Sequence, residues 1–469
     1  MRRSRHHFRH ALLAGLLAAC QVPQPNPASA PAEPGLAKIA EPAAPAYSPA
    51  AQPTGEAGRL LQLARQNNST LSQARARVGM ARAELEQAEA ALRPRLSFDA
   101  AWIAADSPSL YLVKAIDSHE LAANTDFNDP GSFQSTEAGL ALRWNLWNGG
   151  RDQLLREGAQ AAVEAREAEV AATYEVLAGA VLAAWVELGI ARELGQADEA
   201  SIAALRAGVE STSRRVAAGS ALRAEQLSLE VRLAQAQERL ESMHLARRLA
   251  AATLRRLCGP DSDAGVGADE AAAFAPAPET LEAAFAEALA SRSDLRALSS
   301  AVTVAEKRFE AEQRSGRPTL DLEGRVYGTG LDMDPLLGDP NASLGLGLHW
   351  DLADGGARRA RRHAAQAALR DSQARRRAAE ENATLEVESA WWQLEHARAR
   401  LALAETGLRA ADETFALVEA QQREGSATVS RFLEVEADRT QARATRAQAR
   451  LGLIGEQAAL ASALGRWSR

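Results

Sequence analysis

Trp144–Asp152 reads WNLWNGGRD, and His349–Arg358 reads HWDLADGGAR. Each stretch sets a tryptophan and then an Asn or Asp ahead of a double glycine, and each opens a long run of helix-forming residues. Aligning Trp144 with Trp350 gives an offset of 206, which also pairs Gly149 with Gly355, Trp185 with Trp391, Gly219 with Gly425 and Gly259 with Gly465. Upstream, an offset of 224 pairs Leu71 with Leu295, Pro94 with Pro318, Leu96 with Leu320 and Phe98 with Leu322. The chain is therefore an internal duplication. The two offsets differ by 18 residues, so the first copy carries a longer loop between Phe98 and Trp144, around SPSLYLVKAIDSHELAANTDFNDPGSF.

Each copy has the same order of signals. A helical stretch ends at Pro94 or Pro318, because proline cannot continue a helix. Two alternating segments follow. Leu96, Phe98, Ala100 and Trp102 alternate with Ser97, Asp99 and Ala101, and Leu140, Leu142, Trp144 and Leu146 with Ala141, Arg143 and Asn145. In the second copy Leu320, Leu322 and Val326 alternate with Asp321, Glu323 and Arg325, and Leu344, Leu346, Leu348 and Trp350 with Gly345, Gly347, His349 and Asp351. One face is apolar and the other polar. A half-exposed sheet on a soluble core gives the same alternation. Spans of about 9 to 11 residues with tryptophan near their ends also suit a membrane barrel.

Beyond the double glycines, Gly150 and Gly219 stand 69 positions apart, as do Gly356 and Gly425, with no proline between. At ~1.5 Å per residue each helix would run on the order of 100 Å. Heptad spacing such as Val170, Leu177, Ala184 and Ala191 suggests coiled-coil packing. No run of 18 apolar residues occurs, so a membrane crossing would use strands. Four strands cannot close a barrel when the smallest use about eight, so that reading requires several copies.

The N-terminus has a basic segment, MRRSRHHFRH, then the apolar ALLAGLLAA and Cys20, as in a secretory signal. Leu17–Cys20 resembles a bacterial lipobox, which implies cleavage after residue 19 and a lipid on Cys20; an ordinary cleaved signal is the alternative. Residues 20–55 form a Pro/Ala-rich tether that cannot bury a core. Residues 56–259 make the first repeat, 260–278 a linker and 279–469 the second repeat. With 54 basic and 61 acidic residues interleaved, the chain lacks the basic footprint of a nucleic-acid binder. It has no CxxC, HExxH, GxSxG or phosphate loop, and its lysines stand only at 38, 114 and 307. No enzyme activity, metal or cofactor is expected. Cys258 reads as a small buried residue at a helix end.

The ordered set RPRLSF, WNLWNGGRD and RVAAGSALRAEQL, repeated as RPTLDL, HWDLADGGAR and QREGSATVSRFLEVEA, resembles the TolC-like outer-membrane efflux family, and the resemblance covers residues 56 to 469. It implies an α+β membrane protein: a homotrimeric twelve-stranded barrel, four strands per chain, continued by a long α-helical coiled-coil tunnel in the periplasm. The implied partners are outer-membrane lipid, a periplasmic adaptor (membrane fusion) protein and an inner-membrane pump, proton-driven or of ABC type. The implied function is the passive exit duct of a tripartite pump; the duct of a type I protein secretion system is the alternative, and a periplasmic scaffold lipoprotein a remote one.

On this reading Trp144, Asn148, Gly149 and Gly150, with Trp350, Asp354, Gly355 and Gly356, form the junctions where strand becomes tunnel helix. The tryptophans would lie at the membrane interface and Asn148 and Asp354 would cap the helices. Gly219, Ser220, Gly425 and Ser426 would form hairpin tips read by the adaptor. Glu225 and Glu434 fall at slots where the family often carries acidic residues at a periplasmic constriction. Ordinary exposed helix carboxylates are the plainer alternative. Arg431 departs from the family's acidic pattern there, and would either pair with a neighbouring carboxylate or weaken cation selectivity.

Overall fold

The computed structural model describes residues 55–119, 126, 129–260, 262, 274–331, 340–424 and 426–467. Cys20, the tether up to residue 54 and Gly425 lie outside them; Gly55, read as the tether's last residue, already opens the first helix. Chain order is α1 (Gly55–Asn67), α2 (Ser69–Ala90), β1 (Arg95–Ala105), α3 (Pro108–Asp117), β2 (Phe133–Trp147), α4 (Arg151–Ala217) and α5 (Arg223–Cys258). The second half follows as α6 (Leu281–Ser291), α7 (Ser293–Arg314), β3 (Thr319–Gly330), β4 (Asn341–His349), α8 (Ala357–Arg423) and α9 (Val429–Ala463). The duplication is visible in the boundaries. α2 and α7 are both 22 residues long and begin 224 positions apart; α4 and α8 are both 67 residues long and begin 206 apart.

Two compact units emerge, each built from parts of both copies. The first, Gly79–Val163 with Ser300–Gln373, holds the sheet. Its strands are antiparallel in the order β1-β2-β3-β4. Register sets Leu96 beside Leu142, Leu142 beside Gly324 and Gly324 beside Leu344, and Phe98 beside Leu140 and Leu140 beside Val326. The alternation therefore produces one continuous apolar face. That face is bare in the single chain: Phe98 is 66% exposed, Leu346 64% and Leu348 69%. β2 is longer than the alternation suggests, 15 residues, with an irregularity between Asn145 and Trp147. β4 ends at His349, one residue short of Trp350.

The segment read as a loop between β1 and β2 is partly helical. Pro108 opens α3, where its fixed φ suits the first helical turn. At the end of that segment, in FNDPGSF, Phe127 and Asn128 lie outside the described residues, and Phe133 already begins β2.

The second unit contains α1, α5, α6, α9 and the remainder of the long helices. Its largest core gathers Leu60, Leu61, Val181, Leu182, Trp185, Leu254 and Trp467. Full burial of each such side chain contributes about 1.5–3 kcal/mol over leaving it exposed. A smaller core repeats the arrangement with Val387, Leu394, Leu460 and Leu464. Cys258 is buried at the end of α5, and burial pushes its thiol up to about 11. One window of α4 is apolar enough by composition to cross a membrane, but 67% of it is buried, as a core helix would be.

Candidate functional site

The two strand-to-helix junctions lie in the first unit and are built alike. Asn148 Oδ1 accepts hydrogen bonds from the backbone N–H groups of Arg151 (3.1 Å) and Asp152 (3.3 Å), satisfying donors that an α-helix leaves unpaired at its start. Asp354 does the same for Gly356 (3.1 Å) and Arg358 (2.7 Å). Partial burial would raise the Asp354 carboxyl, yet these hydrogen bonds and the Arg358 and Arg361 cations together hold it below the usual range. Before each helix the chain takes two consecutive left-handed steps. Gly149 and Gly150 have φ of 73° and 77°, and Gly355 and Gly356 have 64° and 94°. A side chain resists that region, which is why both copies use glycine pairs.

The tryptophans add a device absent from the sequence reading. Trp144 Nε1 donates to the Leu92 carbonyl (3.1 Å), and Trp350 Nε1 donates to the Gly316 carbonyl (3.0 Å). Leu92 and Gly316 are themselves 224 positions apart. Each indole thus ties a strand end to the turn that follows α2 or α7, where carbonyls lose their helical partners. Arg317 Nη1 donates to the Gly149 carbonyl (3.1 Å), and Glu312 holds Arg151 (3.1 Å) and Arg361 (3.5 Å).

At the hairpin tips the Ser220 N–H donates to the Arg215 carbonyl (2.8 Å) and the Gly219 N–H to Val216 (3.0 Å). With Gly219 at φ 74° this is a Schellman cap. At the second tip Ser426 donates to the Gln421 carbonyl through its N–H and its hydroxyl, both at 2.9 Å, as Ser220 does to Arg215. Thr428 caps α9 through the Arg431 N–H (3.2 Å).

Of the three residues placed at a constriction, the structure joins two. Arg431 Nη1 lies 2.7 Å from Glu434 Oε2 in an exposed i,i+3 pair. Glu225 occupies the first turn of α5, one turn before the buried Leu229. The buried carboxylates nearby escaped sequence reasoning. Glu436, 7% exposed, accepts from Ser201 (2.5 Å) and Thr440 (2.9 Å), tying α4 to α9, and Asp198, 6% exposed, accepts from Arg239 (2.9 Å). Ser201 and Arg239 lie 235 and 41 positions from these carboxylates, so no local spacing announces either bond. Further along, Arg292 pairs with Asp294 (2.7 Å) and Glu386 (2.5 Å), and Arg466 makes a bidentate pair with Glu287 at 2.9 Å for both bonds.

Residues 60–260 and 284–466 match the outer membrane efflux protein family. This chain belongs to that family. Each matched segment contains one junction and one hairpin tip. This outer membrane efflux protein is 25% identical over 286 residues to the outer membrane efflux protein BepC of Brucella suis, a match spanning 61% of this chain and 62% of that relative's length. A membrane protein from Pseudomonas aeruginosa superposes with a TM-score of 0.76 at 21% identity, covering 90% of this chain and 98% of its own. The outer membrane protein VceC of Vibrio cholerae gives 0.74 at 18%, covering 87% and 96%, and the open-state channel MtrE of Neisseria gonorrhoeae gives 0.74 at 18%, covering 88% and 89%. The fold is that of TolC-like outer-membrane channels. The protein is a transport protein of the outer membrane extending into the periplasm, and not an enzyme.

Proposed function

We propose that three copies of this efflux protein close a twelve-stranded barrel and serve as the passive exit duct of a tripartite pump. The observation that carries the reading is the sheet: four strands, two unpaired outer edges on β1 and β4, and a bare apolar face. Exposed edges and a greasy face are both liabilities for a lone chain in water. Ring closure between copies removes the edges, and lipid covers the face. On this proposal Cys20 carries a lipid anchor, residues 20–55 act as a tether after a signal at 1–19, and 260–278 link the repeats of 56–259 and 279–469. The energy for export comes from the inner-membrane pump, joined through an adaptor that reads the tips at Gly219, Ser220, Gly425 and Ser426.

Glu225 and Glu434, in three copies each, would give the periplasmic opening a negative potential that favours cations. The exposed Arg431–Glu434 pair alters the weighting. Three of the six carboxylates face a cation at contact distance, so Glu225 carries most of the selectivity.

The test is the native mass of the mature protein in detergent, with planar-bilayer conductance under a salt gradient. A trimer with small cation-selective steps is expected. Glu225→Gln should reduce the selectivity more than Glu434→Gln, and Arg431→Gln should increase it. Selectivity unchanged in all three variants would remove the constriction assignment, whereas a monomer in fully extracted, folded protein would overturn the duct itself.

A further inference from the structure

Helix α3 lies within the longer connection of the first copy, and it packs on one face of the sheet. Lys114 forms an ion pair with Glu137, whose other oxygen accepts from Arg325 Nη2 at 2.5 Å. Tyr327 Oη donates to Asp117 Oδ2 (3.3 Å), and Asn341 Nδ2 donates to the Asp117 carbonyl (2.8 Å). Register places these anchors on one face. Arg325 lies beside Ala141 and Ser343, Tyr327 lies beside Gly139 and Asn341, and Glu137 lies beside Thr329. That is the polar face, opposite the row of Leu96, Leu142 and Leu344. Ser135 and Thr329 on it are 1% and 3% exposed, and Lys114 is only 8% exposed. Tyr111 packs edge-on against Phe133 at 5.2 Å and pins the middle of the helix to the start of β2.

The helix thus turns Lys114 and Asp117 towards the sheet, beside Tyr111, and leaves Val113 and Ile116 facing away. Val113 is 53% exposed and Ile116 51%. This inverts the amphipathic pattern of a helix on a soluble surface. A helix of 10 residues has little stability of its own, so these anchors hold it in place.

We propose that α3 forms a second constriction, inside the barrel, whose apolar lining favours apolar or amphipathic solutes and keeps the ion conductance small. The proposal rests on the trimeric barrel reading, in which the polar face lines the lumen. Twelve strands about 4.8 Å apart and tilted by about 40° enclose a wall roughly 24 Å across. Three helices, each about 10 Å thick, fill most of that section. Val113 and Ile116 of the three copies then line the remaining gap. A narrow apolar gap sheds water and resists ions, while a solute with an apolar body replaces the lost contacts. The Lys114, Glu137 and Arg325 cluster anchors the helix to the sheet and keeps the gap small.

The experiment uses the full chain in native outer membranes with Ile116→Cys, a short-armed bismaleimide, and the unsubstituted protein as the background for Cys20 and Cys258. The expected result is a covalent dimer on a denaturing gel for Ile116→Cys alone, since one reactive thiol per chain permits one link, and a trimer by native mass in the same extract. A native trimer without cross-linked species overturns the constriction and leaves the barrel reading standing. Absence of the native trimer overturns the barrel reading and the constriction with it. Should Ile116→Cys fail to accumulate, Val113→Cys on the same side of α3 gives the same readout.

Discussion

Gly149 and Gly355 occupy the same place in the two copies, yet they should respond differently to alanine. Both have left-handed backbones, φ 73° and 64°. An L-residue there loses roughly 1–2 kcal/mol. At Gly355 nothing lies within 4 Å of an added Cβ, so strain is the whole penalty. At Gly149 the Cβ would fall 2.7 Å from Arg317 Cδ and 2.8 Å from its Cβ, and Arg317 cannot swing freely because it donates to the Gly149 carbonyl. Crowding of that kind adds roughly 1–3 kcal/mol. Gly149→Ala should therefore destabilise by about 2–5 kcal/mol in total and Gly355→Ala by about 1–2 kcal/mol. For a chain of this length the size scaling of unfolding entropy gives about 1 °C per kcal/mol. Differential scanning fluorimetry of the detergent-purified protein should show Gly149→Ala melting lower than Gly355→Ala by roughly 1–3 °C. In an Arg317→Gly background the two penalties should converge, since the crowding Cβ, Cγ and Cδ atoms are gone. Equal shifts in the wild-type background, or a larger one at Gly355, would refute the assignment of the difference to Arg317.

Glu436→Ala should destabilise by about 1–3 kcal/mol, because it strands the Ser201 hydroxyl in a buried site, whereas Glu434→Ala should change stability by less than about 1 kcal/mol; the same melting assay separates them. Cys258, buried with its thiol pushed up to about 11, should resist maleimide at pH 7.5 in the folded protein and react in urea, and rapid labelling of the native state would show that α5 ends in the open. Burial alone would raise the Asp294 carboxyl, but its hydrogen bonds and ion pair with Arg292 outweigh this and hold it low. A depressed carboxyl stabilises the fold above its unfolded value of about 3.9 and loses that contribution as pH falls through the lower folded value. Wild type should lose more stability between pH 5 and pH 3 than Asp294→Asn, and parallel melting curves across that range would count against the pairing.

The duplication, the apolar and polar faces of the strands, the long helices and the glycine junctions were all legible in the residues. They depend on local periodicity and on short-range turn chemistry, which a linear text records directly. Asn148 and Asp354 could be named as caps because a cap reaches only three or four residues along the chain. The tip geometry was legible for the same reason. The buried Ser201–Glu436 bond, the indole ties of Trp144 and Trp350, and the division into units that cut across both copies were not legible. Most telling is α3. Its sequence, PSLYLVKAID, permits a helix but does not say which face of a sheet will receive it. That choice was made by Glu137, Arg325, Tyr327 and Asn341, which stand 23 to 224 positions from their partners on α3 or within the cluster. Only folding brings such distant charges together, because their attraction is strong at contact, in a site shielded from water, and negligible along an extended chain.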